Sequence, residues 1–454
     1  MKQLRITFPG GITHGMVVWF LIGSLLGGMI FIDKFLLETS FLEIPEIPEI
    51  PEITLPPTWN QAAYDAYLNG IDHGRDGDHE RSVEQFVRAL EEDPEFSIAW
   101  AALSRAHSAM YFDGIDPTEE RLVIARVAAD RAFQLDADLP EAHLALAYYY
   151  YRGPRDYERA LEELAIAEPD FPEDIGLLRT RAFIYRSTGE WDAALFELGR
   201  AVELEPQNAE LLEQQARTHI ARRAYVFADS LLDRALELLP ENETLRIERA
   251  LLPLRRDGET GALHAASASS LGSGRPWMAW LAAFVDRDYD GARRALDETV
   301  SDTLIWQDGY LPKALAYGLT QHAAGNVDIA QLYFEDAREI LEQDLQTDPD
   351  NPDLLIALGE ALAHLGAQQS AIRMAHRVTE MPRVSGDAFT APRYRLAAAR
   401  VFAAAGDGDA ASDELEVYLA SPGFFSLEGA LADPRFDSVR DEPGFQVLVS
   451  RYRR

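Results

Sequence analysis

Ten scattered histidines, an excess of carboxylates and no cysteine are what this 454-residue chain offers for chemistry. No pair of histidines stands in an HExxH or comparable ligand spacing, and the absence of Cys removes thiolate metal sites, disulfides and cysteine nucleophiles. The Gly/Ser stretch LGSGRP, 271–276, lacks the Lys-Ser/Thr of a phosphate loop and follows no strand pattern. Acidic pairs such as Glu91/Glu92 fall on the solvent faces of helices, and no Ser/His/Asp arrangement is supported by spacing. The expectation is a protein that is not an enzyme and holds no cofactor or metal. A formal net charge of -34 argues against binding nucleic acid or an anionic lipid surface through the whole protein. What remains is recognition by shape and by paired charges.

The elements that would position such a surface repeat. From Asn60 to about Pro240 one helical pattern recurs roughly every 34 residues, punctuated by Pro172, Pro206 and Pro240. Ahead of each proline stands the same small-large-small triplet: Ala160/Leu164/Ala167, Ala194/Leu198/Ala201 and Ala228/Leu232/Ala235. A strict period of this length marks stacked helix-turn-helix units, because one pair of helices cannot bury its apolar face alone. Small residues at the crossing points let two helices approach closely while Leu, Phe and Tyr fill the gaps.

These residues resemble the tetratricopeptide repeat. The unit ending at Pro206 carries the pattern through Leu178, Ala182, Tyr185, Ala194, Leu198 and Ala201; the first unit carries it through Gly70, Phe86, Ala89 and Pro94. The second fits at Trp100, Leu103, Ala125 and Ala132, with Ala137 where Pro is expected and a longer loop near Tyr111 to Pro117. Pro253 occupies an aromatic position in the stretch 251–276, which reads as a degenerate unit and Gly/Ser loop between two subarrays, 60–250 and 277–424. The pattern returns at Trp280, Tyr289, Ala292 and Leu296, then at Tyr317, Gly318, Ala330, Phe334 and Ala337 with a long helix toward Asp348. It ends with Leu358, Gly359, Ala371, Ala375, Ala398, Phe402, Ala411 and Leu415. The resemblance implies an all-α, right-handed superhelical solenoid of about ten helix pairs. It also places His73, His107 and His219 at helix A aromatic positions, as packing histidines.

In the family the concave surface is built by helix A, and carrying those positions over gives Tyr64, Tyr67, Arg105, Tyr148, Tyr151, Arg152, Arg179, Phe183, Arg186 and Arg217, with Glu213 and Ile220 beside them. Arg pairs bidentately with carboxylates and Tyr offers rigid contact area, so the resemblance implies a groove for a protein segment bearing acidic or C-terminal carboxylate groups. The Lys and Asn of the family's carboxylate clamp are not at their positions. The competing expectation is that these arginines pair with Glu and Asp on adjacent helices.

The closing segment 425–454 carries a second resemblance, through Asp433, Pro434, Arg435, Phe436, Asp437, Arg440, Asp441, Pro443, Phe445 and Gln446. It is similar to the end of tetratricopeptide arrays that follow winged-helix, adenylate cyclase or protein kinase domains in bacterial proteins. The opening Ala63 to Gly77 is similar to the start of such arrays. With fewer than 15 residues ahead of the apolar stretch described next, the effector is expected on another chain.

Residues 1–14 read as a short cytoplasmic tail and 15–37 as a transmembrane helix, since Gly15 to Ile32 runs without a charge. Eighteen residues at about 1.5 Å each span about 27 Å, enough for a thin bilayer core. A cleaved signal peptide is the competing reading, but FIDKFLLETSFLEI offers no small-x-small site. Lys2 and Arg5 precede the span, which puts the N-terminus in the cytoplasm and the solenoid outside, in a bacterium the periplasm. Gly23 and Gly27 form a GxxxG that would allow helix dimerisation, hence a homo-oligomer. Three lysines against many arginines, with abundant Ala, suggest a GC-rich bacterial genome. Residues 38–59 include EIPEIPEIPEI, a polyproline II stalk. The sequence thus points to a membrane-anchored scaffold for protein partners in the bacterial envelope. The alternative is a sensory subunit acting on a separately encoded cyclase, kinase or transcription factor.

Overall fold

The computed structural model describes Thr58 and residues 60–269, 271, 275–306 and 309–453. The expected tail, transmembrane helix with Gly23 and Gly27, and all of the stalk but Thr58 lie outside the described residues. No helix among the described residues is long and apolar enough to cross a membrane.

The chain forms two compact units, the first ending at Pro172 and the second beginning at Glu173. In the first, α1 (Gln61–Arg75) pairs with α2 (His79–Glu92), α3 (Ser97–Phe112) with α4 (Glu119–Leu135), and α5 (Pro140–Arg152) with α6 (Tyr157–Ala167). The second continues with α7 (Ile175–Thr188) and α8 (Trp191–Leu204), α9 (Ala209–Ala221) and α10 (Tyr225–Leu238), and α11 (Glu243–Asp257) and α12 (Gly261–Ser267). Then follow α13 (Pro276–Val285) and α14 (Tyr289–Asp297), α15 (Lys313–Ala323) and α16 (Val327–Thr347), and α17 (Pro352–His364) and α18 (Gln368–Glu380). After the one-turn α19 (Pro382–Ser385), α20 (Ala391–Ala404) pairs with α21 (Gly408–Ala420), and α22 (Leu427–Leu431) and α23 (Pro443–Tyr452) close the chain. Ten helix pairs result among the described residues.

Helix starts are fixed locally. Asn60, Asp78, Thr118, Asp156, Asp174, Asn208, Asn242, Asn351 and Asp407 each accept a backbone N–H from the first turn of the following helix through the side chain, satisfying donors that the helix itself leaves unpaired. Each pair also needs one residue of positive φ in the turn between its helices. Gly77, Gly114, Gly189, Gly258, Gly325, Gly366 and Gly406 supply it in seven pairs, and Arg155, Arg223 and Arg287 in the other three. An L side chain in that region costs about 1–2 kcal/mol, so an arginine there calls for a compensating contact.

The core lies where the triplets put it. Ala160, Leu164, Ala167, Ala194, Leu198, Ala201, Ala228, Leu232 and Ala235 are all 0% exposed. Close crossing is carried by glycine under an aromatic ring: a Cβ on Gly70 would stand 2.5 Å from Phe86 Cε1, and one on Gly318 would stand 2.6 Å from Phe334 Cδ1. His107 is buried in the first unit, as a packing residue, with Nδ1 accepting from Arg121 Nη1 at 2.8 Å. Burial, with the adjacent Arg121 charge, pushes its pKa down to about 4 against a smaller opposing effect of Asp116.

The fold is all-α as expected, apart from one short antiparallel hairpin that the sequence reading did not include, β1 (Thr303–Trp306) with β2 (Gly309–Pro312), inserted between α14 and α15. Its sequence signal was weak: the apolar runs Leu304–Trp306 and Tyr310–Leu311 do not alternate, and Gly309 pairs with Trp306 as a strand residue. Tyr310 of the hairpin donates to Asp344 Oδ2 at 3.1 Å, so the hairpin rests against the far end of the long helix α16. The stretch 251–276 is helical over much of its length. α11 continues through Pro253 to Asp257 and ends on Gly258 in the left-handed conformation, and α12 follows, with Leu251, Leu254 and Leu263 all buried. Those leucines keep the helix in register although Pro253 removes one backbone donor.

Gly318→Ala should destabilise the second unit by about 1–3 kcal/mol through overpacking against Phe334, and adding Phe334→Leu should return part of that loss; urea unfolding of both variants measures it. Because the folded protein holds His107 neutral below its unfolded pKa of about 6.5, the unfolded chain binds more protons, and stability should fall as pH drops from about 6.5 to about 4. In His107→Asn, which keeps an acceptor for Arg121, the slope over that window should shrink by up to about 1.4 kcal/mol per pH unit, read from urea midpoints at each pH.

Candidate functional site

In the first unit the helix A positions come from α1, α3 and α5. Tyr64 stacks on Tyr67 with ring centroids 6.4 Å apart, and Tyr67 leans on Phe96 at 5.3 Å and Phe86 at 5.9 Å. Tyr67 is therefore shared between the face and the core, and burial raises its phenol pKa. Tyr148 is buried, and two guanidinium groups rest on its ring, Arg152 at 4.7 Å and Arg105 at 5.0 Å. Arg152 also donates to the Arg105 carbonyl at 3.4 Å and lies 6.0 Å from the Phe112 ring, which packs on Tyr151 at 5.6 Å. Desolvation, with the Arg105 charge adding to it, lowers the Arg152 pKa against the opposing influence of Tyr148. Two like charges thus share one aromatic platform. Phe112 beside them is 47% exposed.

The corresponding residues of the second unit are arranged differently. Arg179 on α7 pairs with Glu210 on α9 at 2.7 Å, and Arg217 on α9 lies buried 3.8 Å from Glu248 on α11. Glu248 also takes Arg255 at 2.6 Å, and the buried Arg181 and Glu197 pair at 3.1 Å across α7 and α8. Carboxylates on neighbouring helices therefore meet these arginines, at the surface for Arg179 and inside the fold for Arg217, Arg255 and Arg181. Arg186 donates to Gln214 Oε1 at 3.3 Å and is sandwiched between Phe183, 4.5 Å away, and Phe389, 3.8 Å away. Phe389 belongs to the segment between α19 and α20, some 200 residues further along the chain. It packs on Trp191 at 6.3 Å and Phe424 at 5.2 Å, and lies 6.0 Å from Arg217. The helix A face of this unit is covered by its own C-terminal part.

That covering follows the turns with positive φ. Beside Gly189, the Ala388 N–H donates to Ser187 O at 2.7 Å, and Ser187 Oγ donates to Asp387 Oδ2 at 3.0 Å. At the next turn Arg223 donates to four carbonyls: Phe425 at 2.8 Å, Ser421 at 2.8 Å, Tyr418 at 3.0 Å and Leu419 at 3.2 Å. Tyr418 and Leu419 lie in the last turn of α21, whose carbonyls have no partner within the helix and carry its negative dipole end. Arg223 is thus a C-cap supplied from nearly 200 residues away, and the four bonds offset the strain of its backbone. Tyr225 donates to Phe424 O at 3.1 Å, and Ser426 N–H donates to Arg255 O at 2.9 Å beside the Gly258 turn. At the fourth turn Arg287 meets Asp437 at 2.7 Å. Sequence reasoning missed Phe389, Phe424 and Arg223, because none stands at a helix A surface position.

The tail residues singled out by the second resemblance are structural here. Asp433 and Arg435 form a buried pair at 2.7 Å, and Phe436 packs on Phe445 at 6.0 Å. The others lie along the same closing segment, where Gln446 donates to Arg440 O at 2.5 Å.

Within each unit, successive helix pairs with buried small-large-small triplets define a helical-repeat fold. The triplet spacing, the glycine under an aromatic ring and the period of roughly 34 residues resemble those of the tetratricopeptide repeat. No family model and no curated protein matches the chain. Among solved structures it is similar to a thermophilic tetratricopeptide protein of Thermus thermophilus, at 23% identity over 42% of this chain and 100% of that one, with a TM-score of 0.36. It is also similar to PilW, described as a type IV pilus biogenesis factor, at 15% identity over 47% and 97% of the two chains and a TM-score of 0.37. A tetratricopeptide protein of Parabacteroides merdae is similar at 14% identity over 61% and 92%, with a TM-score of 0.33.

Replacing Arg223 by Ala should cost about 3 kcal/mol, since several charge-assisted hydrogen bonds are lost together, and should speed hydrogen exchange across 418–426. Arg223→Gly relieves the turn but removes the clamp. If it proves as stable as the parent chain, the four carbonyl bonds contribute no net stability.

Proposed function

We propose that the protein is a tetratricopeptide scaffold that binds protein segments through the helix A face of its first unit. One observation carries the reading: Arg105 and Arg152 rest together on Tyr148, whereas Arg179 and Arg217 of the second unit each meet a glutamate from the next helix. A carboxylate presented by a partner would relieve the repulsion between the two guanidinium groups and accept several of their N–H donors. Tyr64, Tyr67, Tyr151 and Phe112 supply apolar area with few rotatable bonds around them, the composition of an interface anchor. The ligand that fits is an acidic segment or a C-terminal carboxylate with an apolar neighbour.

Localisation belongs to the same proposal. The uncharged stretch Gly15 to Ile32 anchors the chain in a bacterial inner membrane, with Lys2 and Arg5 on the cytoplasmic side and the repeats in the periplasm. The Pro-rich segment from Glu43 onward acts as the spacer. The strongly acidic surface disfavours close approach of the repeats to anionic headgroups, in keeping with a spacer between the two.

The test is crosslinking of the full-length protein in its membrane, followed by affinity purification. With Arg105→Gln/Arg152→Gln, recovery of the principal partner should fall at least tenfold, while Arg179→Gln should leave it unchanged. Equal recovery with all three forms, each folded by circular dichroism, would remove the first-unit face from recognition.

A further inference from the structure

The second unit holds a cavity of about 120 Å³ that scaffolding does not use. Its apolar wall comes from Leu251 and Leu254 of α11, Leu281 and Val285 of α13, and Leu396 of α20. The opposite side is cationic, with Arg393 and Arg400 on α20 and Arg435 in the closing segment, around a single carboxylate, Asp433.

Most of these charges are already matched. Arg393 pairs with Asp353, and Arg255, at the cavity edge, pairs with Glu248. Arg435 takes both oxygens of Asp433, at 2.9 Å and 2.7 Å, and reaches Glu360 at 3.2 Å. Arg400 is matched in charge by Asp433 but not in hydrogen bonds. Its Nε lies 3.0 Å from Asp433 Oδ2, close enough for an ion contact but out of line for a hydrogen bond, and this buried N–H has no acceptor. Among the described residues the Arg400 guanidinium donates no hydrogen bond at all, while Asp433 is saturated by Arg435. Leaving that N–H out of water without an acceptor is costly, and an acceptor entering the cavity would offset the cost. Burial and the neighbouring Arg435 charge push the Arg400 pKa down to about 10, against the opposing charges of Asp433 and Glu360.

We propose that this cavity is a binding site for a small monocarboxylate with a short apolar body, its carboxylate on Arg400 and its carbon chain against the leucine wall. Size sets the class: an apolar cavity of roughly 150 Å³ accepts benzene, so a volume of about 120 Å³ suits a chain of about four to six carbons. The lining sets the rest. Inorganic phosphate would leave Leu251, Leu281 and Leu396 against a hydrated ion, and a neutral alcohol would offer the Arg400 guanidinium a weaker acceptor than a carboxylate does. A bound carboxylate would join α11 and α13 to α20 and the closing segment, so occupancy would tighten the region that Arg223 clamps.

The site is tested by isothermal titration of pentanoate into the full-length protein, with pentanol as the neutral control. Saturable binding is expected for pentanoate, at least tenfold tighter than for pentanol. Arg400→Gln should weaken it at least tenfold. Leu281→Phe, which fills the cavity without touching a charge, should do the same and carries the test alone if the arginine variant is unstable. Absence of saturable pentanoate binding at millimolar concentration, equal affinity for pentanol, or unchanged affinity in a folded Leu281→Phe variant would each overturn the assignment.

Discussion

Close approach of the two helices within a pair is the constraint on which the rest of this structure depends. Where Gly70 lies under Phe86 and Gly318 under Phe334, no Cβ fits between ring and backbone. The alanines of each triplet have the same effect one turn at a time, letting a single leucine or phenylalanine fill the space between them. Once that distance is set, each pair presents an apolar flank that only the next pair can cover, and the array follows.

Charge is used in two opposite ways. Outside, a formal net charge of -34 keeps the surface solvated; inside, arginine and glutamate are drawn from water into pairs that join successive helices. Arg181 with Glu197, and Glu248 with Arg217 and Arg255, are buried pairs of this kind. Such pairs gain little net stability over apolar replacements, but removing one partner leaves the other uncompensated. They therefore favour one register of neighbouring helices over others.

The two units differ in what they do with their helix A faces. In the second unit the chain returns along the row of turns at Gly189, Arg223, Gly258 and Arg287 and places Phe389 over Arg186. The arginines there are part of the fold. In the first unit Arg105 and Arg152 meet on the Tyr148 ring instead. One repeat chemistry thus yields arginines covered by the returning chain in one unit and arginines stacked on an aromatic ring in the other.

How much of this could be read in advance follows from the range of each interaction. Triplets, helix starts and the number of helix pairs depend on neighbours within one period of the chain, and Ala194, Leu198 and Ala201, read as core from spacing alone, are fully buried. The candidate face was legible residue by residue for the same reason, since helix A positions recur. Its fate was not. Whether Arg186 would meet a partner or Phe389, and whether Arg223 would sit strained in a turn in order to cap α21, was decided by contacts some 200 residues apart in the chain. The sequence by itself determined the repeat, because repeat packing is local and periodic. Only the tertiary structure decided which arginines are internal struts, because that depends on where the chain returns, and no period encodes it.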